Sequence, residues 1–179
     1  HHVCSDGYRA GCDAANYLWC NGHRRFGIVS MSRTDNDHEQ RVTGFMDTIH
    51  KLASGNARIW RQELRSMDDT VSGWVAELVN RKEAPTVVFV TNSFICQKIY
   101  AELVQAGMSV PEDISLISCE ENGELEHLPV PISVMAQPTR AMGAMAVDML
   151  VKCLRNIEVK NKEVMNCSLI IRKSVRNIP

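Results

Sequence analysis

Four polar side chains in this 179-residue sequence stand just beyond short apolar runs. Arg41 follows Phe26-Gly27-Ile28-Val29 and the polar stretch 32–38. Asn92 follows Thr86-Val87-Val88-Phe89-Val90, Glu120 follows the run 114–119, and Gln137 follows the run 132–135. A guanidinium, two carboxamides and a carboxylate offer directional donors and acceptors, which suits a ligand rich in hydroxyls. Catalysis is less well provided. Glu120 and Glu121 make a plausible acid pair, yet no histidine or cysteine stands beside them at a recognisable spacing, and no nucleophile–base assembly is visible. Glycine-rich phosphate loops are missing, and His23, His38, His50 and His127 lack a metal-ligand spacing such as HExxH. No cofactor and no metal are expected. Each candidate also has a plainer reading: Asn92 as a helix cap, Arg41 as a solvated charge on a first helical turn, and Gln137 as a tie for the bend before Pro138.

The elements that must position these residues alternate between helix and strand. Residues 3–5 read as the end of a strand and Asp6 as the cap of a helix over 8–20, where Ala10, Ala14, Tyr17 and Leu18 recur at helical spacing. Gly22 ends that helix, with His23, Arg24 and Arg25 near its negative pole. A buried strand over 26–31, a loop over 32–38 and a helix over 39–52 follow, the helix carrying Val42, Phe45, Met46 and Ile49 on one side. The pattern continues with a strand over 57–64, a helix over 70–81 capped by Asp68 or Asp69, a strand over 86–90 and a helix over 94–106. After the turn Val110-Pro111-Glu112-Asp113 come a strand over 114–119, a loop over 120–131 and a short strand over 132–135. A helix over 139–155 carries Met142, Ala146, Met149, Leu150 and Leu154, and the tail 164–171 alternates as a strand. This order predicts an α/β fold with a mostly parallel, doubly wound sheet and right-handed crossovers. Ligands of such sheets bind beyond the carboxyl ends of the strands, which selects residues 30–41, 91–94, 120–123 and 136–138.

Composition narrows the class. With 45% hydrophobic and 23% charged residues the chain has the balance of a folded globular protein. No apolar run approaches the ~18 residues of a membrane helix, and no signal peptide opens the sequence. A net charge of -1 leaves no electrostatic footprint for nucleic acid. Cys4, Cys12, Cys20, Cys96, Cys119, Cys153 and Cys167 are scattered singly, so free thiols in a reducing cytoplasm are expected rather than disulfides or a metal site. His1-His2 fits either a tag remnant or native sequence.

Short motifs run in order along the chain. Asp6-Gly7, Ala15-Xaa-Tyr17-Leu18, Gly22-His23-Arg24-Arg25 and Arg41-Xaa-Xaa-Gly44-Phe45 come first. Pro85-Thr86, Thr91-Asn92 and Gly107 follow, then the run Val110-Pro111-Glu112-Asp113-Ile114-Ser115-Leu116-Ile117-Ser118. Gln137, Gly143-Xaa-Xaa-Ala146-Xaa-Xaa-Met149-Leu150 and Arg172-Lys173-Ser174-Val175 close the set. This ordered set resembles the effector-binding domain of lactose-repressor/galactose-repressor transcription regulators. The resemblance implies a periplasmic-binding-protein-like sensor of two α/β subdomains around a cleft. Residues 24–136 and 167–179 would form the C-terminal subdomain, and residues 1–23 and 138–166 would be a remnant of a truncated N-terminal one. Carried over, the ligand contacts fall on Asp6, Arg41, Asn92, Glu120 and Gln137. Arg41 is then expected to grip ligand oxygens from the cleft edge through its planar fork, its loss costing affinity and little stability. The sequence departs from the family at Ser93 and Glu120, where aspartates are usual. The implied protein is no enzyme. It is a cytoplasmic repressor, a homodimer, that senses a small sugar or polyol and meets operator DNA only through a head absent from these residues, with no membrane partner. Two alternatives are a transport-type sugar-binding protein of the same fold and an α/β enzyme acting on a sugar derivative through Glu120 or Glu121.

Overall fold

The apolar runs become strands buried on both faces. In the computed structural model, which describes residues 1–31, 36–66 and 70–179 and only the backbone of 36–38, β1 (His2–Ser5) and α1 (Gly7–Cys20) lead into β2 (Arg25–Met31). The chain continues through α2 (Asn36–Ala53), β3 (Arg58–Leu64), α3 (Ser72–Val79), β4 (Val87–Val90) and α4 (Ser93–Gln105). It ends with β5 (Ser115–Ser118), β6 (Ser133–Ala136), α5 (Thr139–Leu154), β7 (Lys162–Met165) and β8 (Ser168–Ile170). Every residue of β4 and β5 is buried, as a sheet covered on both sides requires.

The main sheet has the order β3-β2-β4-β5-β6-β8. Its first five strands are parallel and β8 runs antiparallel to β6. On one face α1 and α2 enclose Phe26, Ile28, Phe45 and Phe89, with the Phe45 and Phe89 rings stacked at 4.5 Å and Phe26 edge-on to Phe45 at 5.7 Å. On the other face α3 and α4 cover Val29, Val88, Val90 and Leu116. Helices α1 and α2 meet at backbone distance. A Cβ on Gly44 would lie 2.0 Å from the Tyr8 carbonyl oxygen, and one on Gly11 would lie 2.1 Å from that of Arg41.

β1 and β7 form a separate two-stranded parallel sheet. Beside it α5 leaves Val147, Leu150 and Leu154 exposed at 61%, 59% and 76%, and of its residues only Met149 is buried. The apolar stripe expected on α5 is thus present, but the described residues do not cover it.

The tail beyond β8 is sewn into the main sheet. Ser174 accepts from the Ser133 amide at 2.8 Å and donates from the same hydroxyl to the Leu116 carbonyl. Ile178 N–H donates to Asn21 O at 2.8 Å. Between them lies His23, fully buried. Its Nε2–H donates to the Arg176 carbonyl at 3.2 Å, and Nδ1 accepts from the Thr86 hydroxyl at 2.9 Å. Burial, with Arg176 and Arg24 nearby, lowers its pKa from 6.5 to about 4. The basic turn expected at 23–25 therefore contains one neutral, structural histidine.

Several boundaries differ from the sequence expectation. Residues 36–38 belong to α2 rather than to the preceding loop, and the rest of that loop, 32–35, lies outside the described residues. So do Asp68 and Asp69, the expected caps of α3, which is shorter than the predicted 70–81. The tail strand expected over 164–171 is two strands, β7 in the small sheet and β8 in the large one. Alternation runs through both, so period alone gives no sign of the change of sheet at Asn166-Cys167.

Candidate functional site

Because β2, β4, β5 and β6 are parallel and adjacent, their carboxyl ends bring Asn92, Glu120 and Gln137 to one edge of the sheet. Local turns then aim the side chains. Asn92, extended at φ -134 and ψ 136, caps α4 by accepting from Phe94 N–H and Ile95 N–H at 3.0 and 3.2 Å. Glu120 is set by Ser118, whose hydroxyl donates to Glu120 O at 2.8 Å and accepts from Glu120 N–H at 3.2 Å.

Three of the five expected contacts join one hydrogen-bonded cluster. Arg41 Nη1 donates to Glu120 Oε1 at 2.8 Å and to Thr91 O at 2.6 Å. Asn92 Nδ2 and Ser93 N–H both donate to Glu120 Oε2, at 3.0 and 3.3 Å. Asp6 and Gln137 stand outside this cluster. Asp6 caps α1 through Arg9 N–H at 2.8 Å, and Gln137 follows β6 with its carbonyl accepting from Thr139 N–H at 2.8 Å. Burial pushes the Cys167 thiol up, with the charges of Arg41, Asp6 and Asp13 also acting on it.

The placement of Arg41 corrects the expectation of a cleft-edge residue. Its side chain is 4% exposed against 22% for Glu120, and a single nitrogen makes both bonds, so the planar fork does not face solvent. Burial works against its charge, which the neighbouring Glu120 carboxylate supports through opposite charge and a hydrogen bond. Asn92 is a helix cap and a partner of Glu120 at once, which unites two readings that the sequence sets against each other.

The two glutamates do not act as an acid pair. Glu120 is engaged by Arg41 and Asn92, whereas Glu121 lies 2.5 Å from Arg172 Nη2 as an ion pair and accepts from Gly123 N–H at 2.8 Å. Arg172 also donates to Ile132 O at 2.8 Å, bracing the 120–131 loop against the tail. Burial pushes the Cys119 thiol up to about 12, against the pull of Arg41, so it is no thiolate nucleophile near neutral pH. All seven cysteines are free thiols, and the described residues contain no group of three potential metal ligands.

Sequence reasoning missed the arginine brace at Arg172, because its partners lie far from it in the chain. It also gave no particular role to Ser30 and Thr91, whose buried hydroxyls at the ends of β2 and β4 have no hydrogen-bond partner among the described residues. The strand-end rule selects both positions, but nothing in the sequence says that their hydroxyls are buried.

With this geometry in view, residues 15–175 match the periplasmic binding protein-like domain. The chain belongs to that family. It is 26% identical over 178 residues to the HTH-type transcriptional repressor PurR of Photobacterium profundum, covering 95% of this chain and 51% of that one. The chain thus spans about half the length of this relative. A LacI family regulator from Enterococcus faecium, solved with bound ribose, superposes with a TM-score of 0.83 at 22% identity, over 99% of this chain and 65% of that one. The dimeric lac repressor superposes with a TM-score of 0.86 at 18% identity, over 97% and 63%. The fold is that of the effector-binding domain of LacI-family regulators, and the relatives are transcriptional repressors rather than enzymes. No helix among the described residues is long and apolar enough to cross a membrane.

Proposed function

We propose that this periplasmic binding protein-like domain is the sensing part of a bacterial transcription repressor and that it takes a small sugar or related polyol at the strand-end face. The observation that carries the reading is the Glu120 carboxylate, held by Arg41, Asn92 and the Ser93 amide yet still partly exposed at the carboxyl ends of parallel strands. Such an acceptor suits ligand hydroxyls. The ribose held by one structural neighbour supports the same ligand class. In this reading Asp6 and Gln137 complete the contacts from the other side of a cleft.

Residues 24–136 and 167–179 are the C-terminal subdomain, and residues 1–23 and 138–166 belong to the N-terminal one. The separate β1–β7 sheet and the uncovered apolar side chains of α5 support that division. Helix α1 packs on the main sheet, and in this reading it lies beside the boundary. Ligand binding shifts a two-state equilibrium of subdomain angle, which a DNA-binding head elsewhere in a cytoplasmic homodimer converts into operator release or capture. Calorimetric titration of the protein with a panel of pentoses and hexoses tests the reading. Saturable heat for at least one sugar is expected; a flat response to the whole panel would sink it.

A further inference from the structure

The cluster at the strand ends already contains an anion of its own. An anionic ligand arriving there would seek a free guanidinium or free N–H groups at a helix N-terminus. Neither is open to it. Arg41 is 3% exposed and spends its Nη1 on Glu120 and Thr91 O, the Ser93 N–H at the start of α4 points to Glu120 Oε2, and the next two N–H groups point to Asn92. Arg172 is held by Glu121 and Glu126. What the cluster presents outward is the carboxylate, since the Glu120 side chain is 22% exposed and that of Arg41 only 4%.

We propose that this site selects an uncharged, hydroxyl-rich ligand over its phosphate or carboxylate counterpart, and that Glu120 is the residue that sets the choice. The proposal deepens the sugar-sensor reading and rests on it. Glu120 occupies, as an internal counter-ion, the place between guanidinium and helix terminus that a ligand anion would need. A ligand hydroxyl meets the remaining lone pairs of the carboxylate, whereas a phosphate meets like charge.

The test uses the protein with Glu120 intact and with Glu120→Ala, melted across a series of inorganic phosphate concentrations at matched ionic strength. The readout is the response of the variant minus that of the parent, which cancels phosphate bound elsewhere. A gain confined to the variant is expected, about 3–6 °C in Tm for each tenfold of phosphate above its dissociation constant. Equal responses would overturn the proposal. Should Glu120→Ala not fold, Glu120→Gln, which keeps the shape and removes the charge, replaces it. In parallel the parent is titrated with ribose and ribose 5-phosphate; tighter binding of the phosphate ester also overturns the proposal. If neither compound binds, the sensor reading for this sugar fails, while the phosphate difference between variant and parent still decides charge selection.

Discussion

Arg41 and His23 illustrate how burial changes what a residue type means. The sequence reading of Arg41 as a ligand-gripping fork predicts that its loss spares stability. Its position at 3% exposure, bound to Thr91 O and Glu120, points the other way. Arg41→Ala should lower folding stability by about 1.5–3 kcal/mol, the worth of hydrogen bonds to charged groups, measurable by urea denaturation. Arg41→Lys should recover part of this, since one nitrogen makes both bonds. His23 carries a pH signature. The unfolded imidazole protonates near 6.5 and the folded one only near 4, so the unfolded chain alone takes up the proton as pH falls between those values. Its contribution is complete above about pH 6.5 and is lost toward pH 4, by up to about 3 kcal/mol. His23→Gln should flatten that part of the stability–pH profile; a parallel profile would refute the assignment. The identities of Arg41, Asn92 and Glu120 were legible because strand ends select them. Their bonding to one another was not, because it joins side chains 28 and 79 residues apart.

Elements were legible where period and length agreed. β2, β4 and β5 are apolar runs too short for helices, and α1, α2 and α4 show helical spacing with caps or glycine stops at their ends. The boundary of α2 was missed because the polar residues 36–38 carry no apolar period. Gly44 shows how an element is placed. Glycine inside a helix costs about 1 kcal/mol relative to alanine, so propensity alone makes Gly44→Ala stabilising. The structure reverses the sign: the added Cβ would lie 2.0 Å from the Tyr8 carbonyl oxygen, and no rotamer change relieves a clash with backbone. Gly44→Ala should therefore lower stability, by about 1–3 kcal/mol or more, in thermal unfolding. Because Arg41 lies one turn earlier on the same helix, the displacement should also disturb its bond to Glu120.

At the scale of the whole molecule, the doubly wound sheet followed from the order of strands and helices, and its division into two sheets did not. Alternation along residues 162–170 looks the same whether the chain stays in one sheet or changes; the family resemblance implied a change between residues 166 and 167, and pairing with β1 or β6 is what distinguishes the two strands. The exposed side of α5 was equally hidden, since an amphipathic pattern says that a face is apolar and nothing about what covers it.

The stitched tail has a consequence for rates. The bonds of Ser174 to Ser133 and Leu116 span 41 and 58 residues, and that of Arg176 to His23 spans 153. Contacts at such separation carry the largest loop-closure entropy, so they close after the local helices and neighbouring strands have formed. Ser174→Ala, which strands a buried amide and a buried carbonyl, should cost about 1–3 kcal/mol. In a chevron analysis that loss should fall almost wholly on the unfolding arm, speeding it about 5- to 150-fold while the folding arm stays in place. A slowed folding arm would put the tail in the nucleus instead. The last few residues then govern how long the native state survives, and hardly at all how quickly it is reached.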